Sequence, residues 1–197
     1  MSYLDLIKQR RSVYALSDAL PISREALTAL VRAVAVETPS AFNMQSAHAV
    51  ILYGDAHRRL WQITTDTLRQ KVPAEKFAPT QAKMEMFAAG AGSILFFEDD
   101  TVVESFKEQF PSYAASFDMF AAHGLGILQG NVWNALAEQK VGASLQHYNP
   151  LIDDAVRREW KISAGWRLVS EMVFGGVAAP AEAKEKLPGK QRVLVFD

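Results

Sequence analysis

The chain contains no cysteine, which excludes disulfides, thiolate metal sites and cysteine nucleophiles. It also has no excess of one charge, since 21 Lys and Arg residues oppose 22 Asp and Glu residues for a formal net charge of -1. That balance argues against a nucleic-acid-binding protein held by bulk charge. No apolar run approaches the ~20 residues that span a bilayer, and the first residues lack the features of a signal peptide. We therefore expect a cytoplasmic protein.

The remaining composition is that of an ordinary globular protein. Hydrophobic residues make up 49% and charged residues 22% of the 197 residues. A folded chain of this size hides roughly 70% of the surface that its unfolded form exposes, so it can build a core. No internal repeat, low-complexity tract or linker divides the sequence. We predict a single domain over residues 1–197.

Helical and strand patterns follow one another without strict βαβ alternation, which predicts an α+β fold around one small sheet. Ser23 is a typical cap for the second predicted helix, and Gly175-Gly176 predicts the end of a strand. Helices are predicted over 3–10, 24–38, 56–71, 81–89, 101–109, 113–140 and 150–161, and strands over 48–53, 92–97, 141–147, 166–174 and 192–196.

The segment 113–140 is predicted to form one long helix or two abutting ones, and it is apolar on most of its sides. Met119, Ile127 and Trp133 lie off its main apolar stripe. A helix that is apolar on most sides is buried on most sides, and a short chain has little material to cover it. We therefore expect a partner subunit to cover part of this helix. The main stripe is Phe117, Phe120, Ala121, Leu125, Leu128, Val132 and Leu136.

Motifs for metal binding and for nucleophilic catalysis are missing. The four histidines are far apart, and no pair has the helical spacing of a zinc hydrolase. The sequence has no Gly-x-Ser-x-Gly elbow and no Walker loop. Gly124, Gly126 and Gly130 lie inside a predicted helix, where close packing explains them better than a phosphate cradle. We expect no metal site and no strict catalytic residue.

Two polar segments in the first quarter of the chain are candidate ligand sites. Arg10-Arg11-Ser12 places two guanidiniums and a hydroxyl beside a helix end, which suits a phosphate group, although an arginine pair is more often a solvated surface. The segment 39–46 contains Asn43 and Gln45, whose amides can donate to and accept from the edge of a heterocycle. Its alternative interpretation is ordinary turn chemistry.

Two further segments occur in the last third. Residues 142–150 (Gly-Ala-Ser-Leu-Gln-His-Tyr-Asn-Pro) contain small residues that let a flat ring approach the backbone, or they form an ordinary strand and turn. Residues 186–192 place cations before the predicted last strand, and taken alone they favour an exposed basic loop.

Together and in this order, the four segments resemble those of the nitroreductase-like flavoproteins, in particular the short fatty-acid-repression-mutant-type subgroup. The resemblance covers essentially the whole chain, and residues 142–150 are its most specific part. It implies a nitroreductase-like fold, with a small central, mostly antiparallel sheet surrounded by helices in an intertwined homodimer. Tyr14 and Ser46 stand where larger nitroreductases carry a basic residue and a proline, so substrate specificity does not transfer from those enzymes.

The resemblance implies non-covalent FMN binding at the dimer interface. Arg10, Arg11 and Ser12 would hold the phosphate and ribityl chain, and Lys190 and Arg192 would close the phosphate site. The segment 39–46 of the partner subunit would line the flavin, and the segment 142–150 would lie along the flavin ring. The implied ring contacts are Ser40, Asn43, Gln45, Ser144, Leu145 and Gln146, with Asn131 as a further candidate; Phe77, Phe106 and Phe110 would line the substrate side unless they are plain core.

The implied activity is an FMN-dependent NAD(P)H oxidoreductase that reduces nitroaromatic or quinone-type acceptors by ping-pong hydride transfer. Two other classes of function remain open. One is a flavin-binding redox sensor or regulatory module without substantial turnover. The other is a cofactor-free interaction protein built on the long apolar helix.

Overall fold

The computed structural model describes residues 2–196; Met1 and Asp197, the two ends of the predicted domain, lie outside that range. Within it, seven α-helices and five strands form, and no helix is long and apolar enough to cross a membrane. The helices are α1 (Tyr3–Gln9), α2 (Arg24–Glu37), α3 (Gly54–Arg69), α4 (Ala78–Ala88), α5 (Asp100–Gln109), α6 (Phe117–Glu138) and α7 (Asp153–Trp160). The strands are β1 (Leu16–Ser17), β2 (Ala47–Tyr53), β3 (Gly92–Asp99), β4 (Val141–Gln146) and β5 (Trp166–Val177).

The five strands form one sheet in which β5 is central. β5 pairs with β3 on one edge and β4 on the other, and β2 pairs with the outer edge of β3. Gly176 pairs with both Ser17 of β1 and Val141 of β4, so β1 lies on the edge of β5 that faces away from β4. All strand pairs are antiparallel, which confirms the predicted small, mostly antiparallel sheet. The two-residue β1 was not predicted.

The C-terminal end of β5 departs from the prediction. Gly175 and Gly176 were expected to end the strand, but it continues through both to Val177. A β-carbon at Gly175 would lie 2.2 Å from the carbonyl oxygen of Ser17, and one at Gly176 would lie 2.2 Å from that of Ala19. The glycines therefore allow the backbone around β1 to approach β5, and the prediction of a strand end was wrong.

Helices cover both faces of the sheet, so each face has its own apolar core. On one face α3, α4 and α7 surround a cluster that includes the fully buried Leu60, Trp61 and Phe87. On the other face α2 and α6 surround a cluster that includes Leu27 and Leu128. This arrangement confirms the predicted α+β class with helices around a small sheet.

The long helix is shorter than predicted. Residues 111–116 form a 3-10 turn, and α6 begins at Phe117. Met119 and Ile127 are 52% and 43% exposed, so the helix keeps an apolar side that its own chain does not cover. Its buried residues are Phe117, Ala121, Gly124, Leu125, Leu128, Val132 and Leu136.

The segment after β5 forms no strand among residues 178–196 and contains a single 3-10 turn, Gly189–Gln191. The predicted strand over 192–196 is therefore wrong for the isolated chain. A strand needs a hydrogen-bonded neighbour, and the described residues offer none to this segment. Val193, Leu194, Val195 and Phe196 remain 68%, 72%, 80% and 89% exposed.

Candidate functional site

The segment 10–12 leaves the end of α1 and lies against the outer edge of β4. The backbone N–H of Val13 donates to the carbonyl oxygen of Ala143 over 2.9 Å. Ser12 and Ala143 also form a parallel bridge. The fold thus brings together two predicted segments, 10–12 and 142–150, that are more than a hundred residues apart in sequence.

The two arginines of this segment are held differently. The Arg10 guanidinium carbon lies 4.5 Å from the ring centroid of Trp133 on α6. Burial, and then the charge of Arg11, lower the pKa of Arg10 below its ordinary value. Arg11 donates from Nη2 to the carbonyl oxygen of Glu182. Within residues 2–196, neither guanidinium pairs with a carboxylate, so their positive charges are not neutralised.

A cavity of ≈ 430 Å³ opens beside Arg11, between α1, the end of α6 and the start of β4. Its lining includes Trp133, Gly142 and a further cation, Lys140. Lys140 has a left-handed backbone conformation with φ 59°, which turns the chain directly from α6 into β4. Two cations therefore line a concave surface next to the 10–12 segment.

On β4, the side chains of Ser144 and Gln146 lie on one face and that of Leu145 on the other. Gln146 Nε2 donates to Ser144 Oγ over 3.1 Å, and both residues are buried. Leu145 packs against the α2–α6 core. Because residues two apart direct their backbone groups to the same edge of a strand, the N–H of Leu145 faces the edge that Ala143 shares with Ser12.

The loop between α2 and β2 contains a cluster of unusual backbone conformations. Phe42, Asn43 and Gln45 have φ values of 56°, 54° and 52°, a region that disfavours residues with a β-carbon. Ser40 Oγ accepts the backbone N–H of Gln45 over 2.9 Å, which closes the loop. The side chains of Asn43 and Gln45 are exposed. Strain of this kind is typical of functional sites.

This loop is attached to α6. Asn131 Nδ2 donates over 3.1 Å to Oγ1 of Thr38, the residue before Pro39. A β-carbon at Gly124 would lie 3.4 Å from Cβ of Ser40, so the loop packs closely on this helix. At ~1.5 Å per residue, Gly124 and Trp133 are roughly 14 Å apart along α6. Ser40 therefore contacts α6 well away from Trp133, whereas the Thr38 contact is at Asn131, two residues from Trp133.

Aromatic side chains surround the loop on its α5 side. The ring of Phe42 lies 4.9 Å from that of Phe110 and 5.4 Å from that of Phe117. The ring centroids of Phe106 and Phe110 are 5.9 Å apart. Two of the three predicted substrate-side phenylalanines are therefore next to the loop. Phe77 is instead buried beneath Arg69, whose guanidinium carbon lies 5.1 Å from the centroid of the Phe77 ring.

Lys190 and Arg192 lie in the exposed segment after β5. The backbone N–H of Arg192 donates to the carbonyl of Gly189 over 3.0 Å, which makes a local turn. In the single chain this segment does not bring the two cations to the arginines of 10–12 by any described hydrogen bond or ion pair.

The side chain of Glu171, opposite Gln146 of β4, is a buried carboxyl. Glu171 of β5 is fully buried, and its Oε2 accepts the backbone N–H of Tyr148 over 3.0 Å. Burial, together with the nearby Asp153 carboxyl, raises the pKa of Glu171 to about 8. Burial and the Glu171 carboxyl raise the pKa of Tyr148 to about 12. The acid thus supports the turn after β4 in its neutral form.

Buried His57 has a structural role. Its Nδ1 lies 2.9 Å from Ser93 Oγ, which also accepts the indole N–H of Trp61. Burial lowers the pKa of this histidine to about 4, so it is neutral, and the Ser93 hydroxyl links the two buried rings. Over the described residues, no three His, Asp or Glu side chains are arranged to hold a metal ion.

Sequence reasoning missed three residues of this region: Trp133, Lys140 and Phe42. Trp133 carried a signal, since it is a large aromatic residue off the main stripe of a helix. Phe42 is an apolar residue inside a polar loop, which also marks it. Lys140 had no signal, because its position next to Arg11 depends on the docking of α1.

The fold and sequence together define the class of the protein. The family model for the nitroreductase family matches residues 7–176. This chain belongs to the nitroreductase family.

Individual relatives agree with that assignment over the whole chain. HBN1 of Saccharomyces cerevisiae is 40% identical over 198 aligned residues, covering 100% of this chain and 97% of HBN1. The nitroreductase FRM2 of the same yeast is 35% identical and covers 93% of this chain and 92% of its own. The structure of nitroreductase CinD from Lactococcus lactis superposes with a TM-score of 0.91 at 39% identity, covering 100% of both chains. The resemblance stated from the sequence is confirmed.

Proposed function

We propose that this protein binds FMN and uses NAD(P)H to reduce nitroaromatic or quinone-type acceptors. The observation that carries the proposal is the contact between Ser12 and Ala143, which joins the cationic segment to the strand expected along the flavin ring. CinD, a relative over its full length, was solved in complex with chloramphenicol and with 4-nitrophenol, both nitroaromatic compounds. A protein of the same fold from Desulfovibrio desulfuricans, 17% identical, was solved with FMN.

The donors at the 10–12 segment fit a phosphate monoester. Arg10 and Arg11 have no carboxylate partner within the described chain, and Ser12 adds a hydroxyl beside them. Lys140 lines the adjoining cavity. Guanidinium groups bind phosphate oxygens through paired, charge-assisted hydrogen bonds. A dianionic phosphate would neutralise this cluster of uncompensated cations.

The ring would be held by backbone and amide groups. The N–H of Leu145, directed to the edge that Ser12 occupies, would donate to the ring, while buried Ser144 and Gln146 keep the strand in place. Ser40, Asn43 and Gln45 would approach the ring from the loop of the other subunit. Within each chain, Asn131 would hold this loop in place through its hydrogen bond to Thr38. The left-handed φ values of the loop support a binding role, because such strain persists where function requires it.

When bound, FMN would supply a ring that takes up a hydride from NAD(P)H and then passes two electrons to the acceptor, in two successive half-reactions at one site. The residues of this chain bind and orient the reactants, and none is proposed as a catalytic acid or base. Phe106 and Phe110, which pack against Phe42 of the loop, would line the acceptor side. Phe77 instead lies under Arg69 of α3, so we do not assign it to the acceptor side.

We also propose that the protein is a homodimer. Four apolar side chains at 193–196 are more than two-thirds exposed. Among residues 2–196 no strand pairs with the outer edge of β2, which lies next to a groove of ≈ 500 Å³ between β2 and α2. The same segment of a second copy would add a strand to that edge. Lys190 and Arg192 precede this segment, so it would carry them to the partner subunit, where the proposed flavin loop 39–46 leads into β2.

The experiment is a visible absorption spectrum of freshly purified protein, followed by heat release of the chromophore. Flavin bands with one FMN per chain are expected, together with a mass of about twice 21.8 kDa in sedimentation. Arg10→Ala should bind FMN measurably more weakly and purify with less than one FMN per chain, whereas Arg58→Ala on the exposed side of α3 should retain it. Protein that stays colourless in excess FMN would refute the proposal.

Steady-state oxidation of NADH or NADPH with a nitroaromatic or a quinone then tests the reaction. Turnover with either acceptor is expected. Flavin that is bound but not reduced by either nucleotide would instead support the flavin-binding regulatory module.

A further inference from the structure

The guanidinium of Arg10 lies over the ring of Trp133. The guanidinium carbon is 4.5 Å from the ring centroid, inside the ~6 Å range in which a cation is attracted to an aromatic face. Arg10 is half-buried and makes no ion pair in the described part of the chain. Its orientation therefore depends on the aromatic ring rather than on a carboxylate.

Arg10 directly follows α1 and donates its backbone N–H to the carbonyl oxygen of Leu6, which fixes its backbone but not its side chain. Helix α1 contributes no buried residue to the core. The chain is next fixed at Val13, whose N–H donates to Ala143. Between these points, Trp133 holds the Arg10 side chain.

Trp133 itself is well anchored. Its neighbour Val132 and the next-turn Leu136 are fully buried in the α2–α6 core, and its own ring packs against that core. A fixed ring beneath a guanidinium leaves the N–H donors in the guanidinium plane available to another group. That group would be an anion, because Arg11 and Lys140 add positive charge nearby.

We propose that Trp133 is a positioning residue that holds Arg10 for the phosphate group of the cofactor and so makes the site prefer FMN to riboflavin. This inference rests on the proposed FMN function. Riboflavin has the same ring and ribityl chain but lacks the phosphate, so it reports every flavin contact except those to the phosphate.

The test is a fluorescence titration of flavin-free protein with FMN and with riboflavin. Trp133→Leu should weaken FMN binding about tenfold, the size of a partly desolvated cation–π contact, and leave riboflavin binding unchanged. Trp133→Phe, which keeps an aromatic face, should retain most of the FMN preference. Trp160→Leu, a half-buried tryptophan on α7, is the matched control and should affect neither flavin. If Trp133→Leu does not fold, Trp133→Met replaces it.

Coupling between the two side chains is tested with Arg10→Ala and the double variant Arg10→Ala/Trp133→Leu. The double variant should bind FMN no more weakly than Arg10→Ala alone, because the tryptophan acts through the arginine. Additive losses, or an equal loss of FMN and riboflavin affinity in Trp133→Leu, would overturn the inference while leaving the FMN function intact. Wild-type protein that binds neither flavin would refute the proposed function itself.

Discussion

Replacing Glu171 by glutamine should make the protein more stable at alkaline pH. This carboxyl is fully buried, accepts the Tyr148 N–H and lies near Asp153, whose own pKa is raised by burial while Arg157 opposes that rise. Its pKa rises from 4.5 to about 8 on folding. The folded protein therefore keeps a proton that the unfolded chain has released between these two pH values, so stability decreases as pH rises through this window.

The expected size follows from the pKa change. At about 1.4 kcal/mol per pKa unit, the rise from 4.5 to about 8 corresponds to a loss of roughly 4–5 kcal/mol across the window. Glu171→Gln keeps an oxygen acceptor for the Tyr148 N–H but cannot ionise. The variant should match the wild type within about 1 kcal/mol near pH 5 and exceed it by roughly 4 kcal/mol near pH 8.

The assay is urea-induced unfolding of both proteins in the same flavin-loaded state, at several pH values across the window. Glu138→Gln, at the exposed end of α6, is the control and should follow the wild-type pH dependence. Parallel curves for wild type and Glu171→Gln would show that Glu171 does not hold its proton in the folded protein, and would refute the reasoning.

Four other substitutions test the packing and the loop. Gly175→Ala brings a β-carbon within 2.2 Å of the Ser17 carbonyl oxygen and should lower the free energy of unfolding in urea by at least roughly 2–3 kcal/mol. In contrast, a β-carbon at Gly126 meets no atom within 4 Å, so Gly126→Ala should raise the free energy of unfolding by up to ~1 kcal/mol. Ser93→Ala removes the acceptor of a buried indole N–H and should cost roughly 1–3 kcal/mol in the same assay; an unchanged midpoint would contradict that bond. Gln45→Gly should relieve about 1 kcal/mol of backbone strain at φ 52° and weaken FMN binding. Tighter FMN binding would argue against a role of the Gln45 side chain in the site.

The sequence by itself predicted the class of fold and most of its helices and strands. Apolar periodicity is a local property, so the patterns around Ser23 and over 92–97 indicated a helix and a buried strand that the structure confirms. The family resemblance, read from four polar segments, was also confirmed. The roles of the individual site residues remain predictions.

Contacts between distant segments were decided only by the tertiary structure. The extension of β5 through Gly175 depends on its pairing with β4 and on the approach of β1 from far away in the chain, which no local rule for glycine reveals. The strand predicted at 192–196 has the right local pattern but no neighbour in the described chain, since a strand forms only where a second backbone supplies its hydrogen bonds. The placement of Trp133 under Arg10 likewise depends on how α1 docks on α6. Local sequence determines which element forms, whereas the pairing of remote surfaces determines what each side chain meets.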